Sequence, residues 1–181
     1  MPPEVGAASV DQEPDPEQVA RAIALRMLTR AARSRQQLGQ AMARKDVPQD
    51  VAERVLDRFA DVGLVDDAAF AGQLVRSQHD SRALARRALA AELRRRGVAD
   101  DDARAALAQV TEQDEEAAAR ALVERRWRDD LDQAVQSRRL LAMLGRKGYP
   151  PGMAARVVRQ MVDDRGARSG HDRWEPEPDP D

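Results

Sequence analysis

Basic side chains recur at matching places along the chain, and their chemistry suits contact with phosphates or carboxylates. One set precedes each of three turn signals: Arg44, Lys45, Arg94, Arg95, Arg96, Arg146 and Lys147. A second set lies earlier in the same segments: Arg35, Arg86, Arg87, Arg138 and Arg139. Cations at a helix C-terminus also interact favourably with the helix dipole and then need no ligand. The repetition favours a shared basic surface for phosphates or an acidic protein, two targets that the sequence does not separate.

No catalytic or metal-binding pattern accompanies these cations in the sequence. The two histidines, His79 and His171, are far apart, and there is no cysteine. The sequence has no G-x-x-x-x-G-K-[ST] phosphate loop. Paired carboxylates such as Asp66–Asp67 and Asp129–Asp130 fit helix caps or solvated loops better than acid–base catalysis. We therefore expect a protein that is not an enzyme and that holds no metal and no cofactor.

The basic sets belong to a fragment that occurs three times at a spacing of 51 residues. Its apolar positions are Leu38, Leu89 and Leu140, followed by Met42, Leu93 and Leu144. Repetition at a fixed spacing indicates one supersecondary unit used three times. With 34% charged and 3% aromatic residues, the composition favours helices around small aliphatic cores over a sheet.

Each unit is predicted to contain three helices. In the first unit, a helix from about Glu17 to Arg30 precedes Ser34, which can form a capping box with Gln37. The second helix of each unit should end at a residue in the left-handed conformation, Asp46, Gly97 or Gly148. Pro48 and the Pro150–Pro151 pair suit the start of a third helix.

The remaining helices follow from apolar spacing and capping residues. Asp66 and Asp67 can cap a helix that begins near Ala68. Later helices of the second unit are predicted around 82–95 and 100–110. The third unit is predicted to begin with a helix from near 114 through Trp127 and to end around Val162. Trp127 is expected in a core or between units, and Trp174 in solvent.

The expected fold class is all-α, with three tandem three-helix repeats of the helix-turn-helix type and disordered acidic tails. The boundaries are a tail at 1–16, repeats at 17–65, 66–112 and 113–164, and a tail at 165–181. The net charge is −2, but residues 1–18 carry −5 and residues 171–181 carry −4, which leaves +7 on residues 19–170. The tails either aid solubility or compete with a polyanion for the basic middle.

The chain is expected in the cytoplasm and away from membranes. No apolar run approaches the roughly 20 residues of a membrane-spanning helix, and the first residues lack the basic start of a signal peptide. The absence of cysteine fits a reducing compartment.

Four segments carry motifs in a fixed order. Arg33-Ser34-Arg35 with Leu38 resembles R-S-x-x-E-L, with Gln37 in place of the usual Glu. Residues 55–71 resemble V-L-x-x-L…G-x-x-x-D-x-x-[FY]-A, residues 91–98 resemble x-E-L-x-x-K-G-V, and residues 138–149 resemble R-R-L…L-x-R-[RK]-G-[FY]. Together they are similar to the RecX regulatory proteins over roughly 19–164. Asp46, where that family usually has Gly, and the first helix of the third unit depart from the pattern.

This resemblance implies an elongated, curved body that binds the RecA recombinase filament on DNA. It further implies inhibition of the ATPase, strand-exchange and coprotease activities of RecA, with the repeated basic residues as contacts. The implied partners are the RecA filament and single-stranded DNA, with double-stranded DNA left open, and the protein is expected to act as a monomer. Two alternatives remain: a helix-turn-helix regulator of transcription that binds DNA, and a helical adaptor whose charges only solvate it.

Overall fold

The computed structural model describes residues 15–171, which are helical between short turns and contain no strand. The acidic segments 1–14 and 172–181, with Trp174, lie outside the described residues. The helices in this range are α1 (Pro16–Leu28), α2 (Arg35–Ala43), α3 (Gln49–Asp61), α4 (Asp67–Arg82), α5 (Arg86–Arg95), α6 (Asp100–Leu107), α7 (Glu112–Arg126), α8 (Gln133–Arg146) and α9 (Pro151–His171). The all-α prediction of three three-helix repeats is thereby confirmed.

The described residues divide into two compact units that meet in the sequence at Phe70 and Ala71. In the first unit α1, α2 and α3 pack together around Leu38, Met42, Val55, Leu56 and Phe59. In the second unit α7, α8 and α9 pack together, and α5 packs on α6. The repeats therefore have small aliphatic cores, as the composition predicts.

Each second helix ends in the same backbone turn. Asp46, Gly97 and Gly148 have φ of 58°, 70° and 88°, which confirms the left-handed residue predicted there. The N–H groups of Val47, Val98 and Tyr149 donate to the carbonyls of Met42, Leu93 and Leu144 at 3.2, 3.2 and 3.1 Å. The N–H groups of Asp46, Gly97 and Gly148 donate to the carbonyls of Ala43, Arg94 and Gly145 at 3.1, 2.9 and 3.0 Å. The two bonds together define a Schellman motif. Local residue chemistry alone therefore ends these helices.

The capping box at the start of α2 is also confirmed. The Ser34 hydroxyl accepts from the Gln37 N–H at 3.3 Å, and the Gln37 side chain accepts from the Ser34 N–H at 3.2 Å. Of the two residues predicted to cap α4, only Asp66 does so, and Asp67 binds another helix. Asp66 accepts from the Ala69 N–H at 2.8 Å, whereas the Asp67 carboxylate accepts from the N–H of Arg35, at the start of α2, at 2.8 Å.

Two predicted helix bounds are wrong. The helix expected around 82–95 begins at Arg86, because Arg82 ends α4 and Ala83 turns the chain with φ of 47°. The last helix continues past Val162 to His171 and so includes part of the segment assigned to the C-terminal tail. Arg165 anchors the additional turns, since its guanidinium lies 5.2 Å from the centre of the Trp127 ring and 3.1 Å from the Asp129 carboxylate.

The turn at Gly148 lies against α5. A Cβ at Gly148 would come within 2.6 Å of the Ala88 nitrogen and 2.8 Å of its Cβ. The carbonyl of Lys147 accepts from the Ala85 N–H at 3.0 Å, and the Tyr149 hydroxyl donates to the Ala83 carbonyl at 3.0 Å. The segment between α4 and α5 is therefore held by the third repeat, and Ala83 and Ala85 are buried in its core.

Gly148→Ala should destabilise the protein, because the new methyl group meets α5 and the left-handed conformation disfavours Ala. The strain and the clash together should cost at least about 2 kcal/mol of unfolding free energy, measured by urea denaturation. Gly145→Ala is the matched control: its Cβ meets nothing within 4 Å, so it should be neutral or stabilise by up to about 1 kcal/mol. Equal effects of the two substitutions would contradict the close approach at Gly148.

The single tyrosine of the chain, Tyr149, gives a spectroscopic readout of this contact. Burial raises the pKa of the Tyr149 phenol to about 12, with the nearby Glu115 carboxylate adding to the effect. The unfolded chain should titrate near 10. The phenol therefore contributes stability that is complete below about pH 10 and is lost as the pH rises towards about 12.

Ultraviolet absorbance of the phenolate should give a midpoint near 12 in buffer and near 10 in urea. Tyr149→Phe serves as the blank, since it removes the phenolate signal and its share of the alkaline loss of stability. A midpoint near 10 for the folded chain would show that the hydroxyl is solvated.

Candidate functional site

The basic residues predicted as contacts fall into two groups, according to whether another group of the protein binds their side chains. Within residues 15–167, some have neither an ion pair nor a side-chain hydrogen bond: Arg44, Lys45, Arg87, Arg94, Arg138 and Arg146. The others are engaged by neighbouring groups: Arg35, Arg86, Arg95, Arg96, Arg139 and Lys147. In the second group, Arg139 and Lys147 donate to backbone carbonyls, which do not offset their charge, whereas the other four lie beside carboxylates.

Arg86 has a structural role in the second unit. Its backbone N–H donates to the Glu115 carboxylate at 2.7 Å, and its guanidinium lies 3.1 Å from the other oxygen. The Glu115 side chain is only 3% exposed. A carboxylate at this helix N-terminus satisfies a free N–H and opposes the positive end of the dipole. Asp67 does the same for Arg35 at the start of α2.

Glu92 engages two more of the predicted contacts. Its carboxylate forms ion pairs with Arg95 and with Arg96, the latter at 2.8 Å. Because the Arg95 side chain is 73% exposed, this pair leaves most of its guanidinium facing solvent. Arg139 donates to the Arg126 carbonyl at 2.8 Å. The end of α5 therefore keeps a basic surface even where a carboxylate lies beside it.

A groove in the second unit brings several of these cations together. It has a volume of about 500 Å³ and lies between α5 and the turn that follows α8. Arg87, Arg95 and Arg146 line it together with Arg82, which the sequence did not single out. Arg82 was missed because it was assigned to the start of a helix, whereas it ends α4 beside the break at Ala83. Its only sequence signal was its basic side chain.

Lys147 lies in the turn that follows α8, next to Arg146. Its ammonium group donates to the Arg82 carbonyl at 2.5 Å. Burial lowers the Lys147 pKa, and the positive charges of Arg82, Arg126 and Arg125 lower it further. Several positive charges therefore lie near one partly buried ammonium group, so the region carries a positive potential.

The other residues considered from the sequence have structural environments. His79 lies with Nδ1 3.1 Å from the Leu84 carbonyl, and Trp127 is partly buried against the core of the third repeat, as expected for a core residue. Among the described residues there is no cluster of three or more His, Asp or Glu able to hold a metal. Nor does any described helix have the length and apolarity to cross a membrane.

Arg86→Ala and Arg87→Ala, at adjacent positions of α5, should differ in stability. Removing the Arg86 guanidinium leaves the buried Glu115 carboxylate without its cation, and the half-exposed side chain limits the loss to about 1–2 kcal/mol. Arg87→Ala should change the unfolding free energy by less than about 0.5 kcal/mol. Urea denaturation at neutral pH measures both, and equal effects would contradict a structural role for Arg86.

The fold and the surface define a class: an all-helical protein of three three-helix repeats with exposed basic residues. Three family models match the sequence of this chain. They are described as the first, second and third three-helix domains of RecX, and they match residues 20–59, 66–107 and 113–158. The chain belongs to the RecX family.

Curated relatives are similar in sequence over most of the chain. The regulatory protein RecX of Thermobifida fusca is 52% identical over 149 residues, which cover 81% of this chain and 80% of that protein. The protein of the same name from Streptomyces coelicolor is 48% identical over 87% of this chain and 85% of its own. That of Mycobacterium tuberculosis is 45% identical over 78% of this chain and 85% of its own.

Two crystal structures of RecX proteins share the fold. The structure from Lactobacillus salivarius superposes with a TM-score of 0.72 at 18% identity, covering 82% of this chain and 97% of that one. A second, described as regulatory protein RecX, gives a TM-score of 0.67 at 23% identity over 83% of this chain and 72% of that one. At these identities the likeness supports the fold alone.

Proposed function

We propose that this protein binds the RecA recombinase filament on DNA and inhibits its ATPase, strand-exchange and coprotease activities. In this way it would modulate recombinational repair and the SOS response in the cytoplasm, as a monomer that is a regulator rather than an enzyme. The observation that carries the proposal is the match of all three domains to the RecX family.

The repeated surface gives this proposal a physical basis. Arg44, Arg95 and Arg146 occupy the same position of the three repeats, at the exposed end of the second helix. A recombinase filament repeats its own subunits, so equivalent contacts on a repeat protein can engage successive subunits. Linked weak contacts of this kind gain avidity without a deep pocket. The predicted repeats 17–65, 66–112 and 113–164 would then each contribute a contact.

A helix-turn-helix regulator of transcription is less well supported. In that class the last helix of the unit enters the major groove with its first residues at the bases. Here α3 carries Asp50 in its first turn, and α6 begins with Asp100, Asp101 and Asp102. Carboxylates at these positions would repel the phosphates that flank a groove. The third helices of the first two repeats therefore suit packing better than base recognition.

RecA ATPase activity on single-stranded DNA tests the proposal directly. Substoichiometric amounts of this protein should lower the steady-state rate of ATP hydrolysis, because one regulator on a filament affects several subunits. An unchanged rate at ratios up to one regulator per RecA would refute the proposed function.

Removing cations that have no partner tests where the contact lies. The triple variant Arg44→Ala, Lys45→Ala, Arg94→Ala should raise the concentration for half-inhibition about tenfold, since each exposed contact contributes up to about 1 kcal/mol. Circular dichroism should remain that of the unsubstituted protein. A matched control removes three cations held in local ion pairs, Arg21, Arg54 and Arg104. If both triple variants inhibit equally, total charge and not these positions determines binding.

A further inference from the structure

Lysine is rare in this chain, and its two lysines occupy equivalent places in the repeats. Lys45 and Lys147 are the only lysines in the sequence, and each directly follows an arginine. Each also comes one residue before the left-handed residue of its turn, Asp46 or Gly148. The chain has no cysteine, so these two amines are the side chains most open to acylation. Their matched positions allow the effect of the fold on each amine to be compared directly.

The Lys147 ammonium group lies among other cations. It donates to the Arg82 carbonyl at 2.5 Å, and it forms no ion pair within residues 15–167. Burial lowers the Lys147 pKa, and so do the positive charges of Arg82 at the end of α4 and of Arg126 and Arg125 at the end of α7. A lysine that is desolvated and close to other cations is an activated nucleophile, because more of its amine is neutral.

Lys45 has the same place in the first repeat but different surroundings. Its side chain is exposed, and it has neither an ion pair nor a side-chain hydrogen bond within residues 15–167. The Lys147 side chain is partly buried, because the break between α4 and α5 presents the Arg82 carbonyl to the third repeat. The fold therefore distinguishes two lysines that local sequence does not.

The cations around Lys147 favour an acyl donor that is itself an anion. A positive potential raises the local concentration of small anions, and guanidinium groups suit phosphate oxygens in particular. The bond to the Arg82 carbonyl occupies one N–H of the amine and leaves the lone pair of the neutral form able to attack a carbonyl carbon. An acyl phosphate carries both the negative charge and the reactive carbonyl group in one small molecule.

We propose that Lys147 is an acylation site whose donor is an acyl phosphate. The neutral Nζ attacks the acyl carbon, a C–N bond forms, and the C–O bond to the phosphate breaks. Inorganic phosphate leaves with the electron pair of that bond, and the nitrogen releases one proton to the solvent. The product is a neutral amide, so the turn after α8 loses one positive charge. This modification goes beyond the proposed inhibition of RecA and does not depend on it.

Treatment of the full chain with acetyl phosphate, followed by mass spectrometry of its peptides, tests the proposal. At low salt Lys147 should be acetylated about tenfold faster than Lys45, since a positive potential raises the local concentration of an anion by at least this factor. Added salt should reduce the ratio, because it screens the cations. In urea the two rates should become similar, since both lysines follow an arginine in the sequence.

An uncharged donor separates the attraction of the anion from the reactivity of the amine. N-hydroxysuccinimidyl acetate should also favour Lys147, but by a smaller ratio than acetyl phosphate does, because the positive potential does not concentrate it. If both donors give the same ratio, the cations do not select a phosphate and the assignment of the donor is wrong.

Removing cations near Lys147 tests their role. The double variant Arg125→Gln, Arg126→Gln should abolish most of the advantage of Lys147 and leave the rate at Lys45 unchanged. The matched control Arg104→Gln, Arg159→Gln makes the same change in net charge at two exposed positions of the same unit and should keep the ratio. Should the first variant unfold, as judged by circular dichroism, Arg125→Gln alone makes the same test with a smaller change.

Three results would overturn the proposal. They are equal acetylation of the two lysines by acetyl phosphate in the folded chain, faster acetylation of Lys45, and an equal loss of the Lys147 rate in the control variant. RecA ATPase inhibition is measured separately with the unmodified chain. Failure of the modification therefore leaves the proposed function standing, and the reverse also holds.

Discussion

The close approach of the Gly148 turn to α5 determines how the second unit is built. A residue with a Cβ at this position would force the Ala88 backbone to move, because the Ala88 nitrogen is too near. The same turn offers the Lys147 carbonyl to Ala85 and the Tyr149 hydroxyl to the Ala83 carbonyl. These two bonds hold the chain between α4 and α5 in a non-helical turn, although the alanines of this segment favour a helix. The break in turn places Arg82 beside the turn, where Lys147 binds its carbonyl.

A second constraint joins consecutive repeats through carboxylates. Asp67 and Glu115 come from the first turn of one three-helix repeat and accept the N–H that begins the second helix of the preceding one. Each therefore caps a helix that is distant in sequence. This explains why adjacent arginines of α5 differ: Arg86 is bound to Glu115, whereas Arg87 faces the groove. Basic character alone does not distinguish a structural cation from an available one.

Local chemistry was sufficient to predict part of this structure. Asp46, Gly97 and Gly148 could be recognised as helix ends, and Ser34 with Gln37 as a capping box, because the residues that make these turns are neighbours in sequence. The break at Ala83 could not be predicted, since alanine favours a helix and the groups that turn the chain come from the third repeat. The extension of α9 depends in the same way on Arg165 meeting Trp127 and Asp129. The ion-pair partners of the arginines could not be predicted either, because no sequence motif distinguishes Glu92 and Glu115 from the other glutamates of the chain.

The repeats are equivalent in backbone but not in surface. The Schellman turn recurs because a chain reversal after the second helix has few solutions, whereas exposed positions are free to differ without cost to the fold. Arg44, Arg95 and Arg146 keep one position through all three repeats, each at the exposed end of the second helix. Arg82 and Arg87 have no basic counterpart in the first repeat, and only the contact between the second and third repeats gathers them with Arg146. One set of cations therefore follows the backbone repeat, whereas another set is brought together only where two repeats pack on each other.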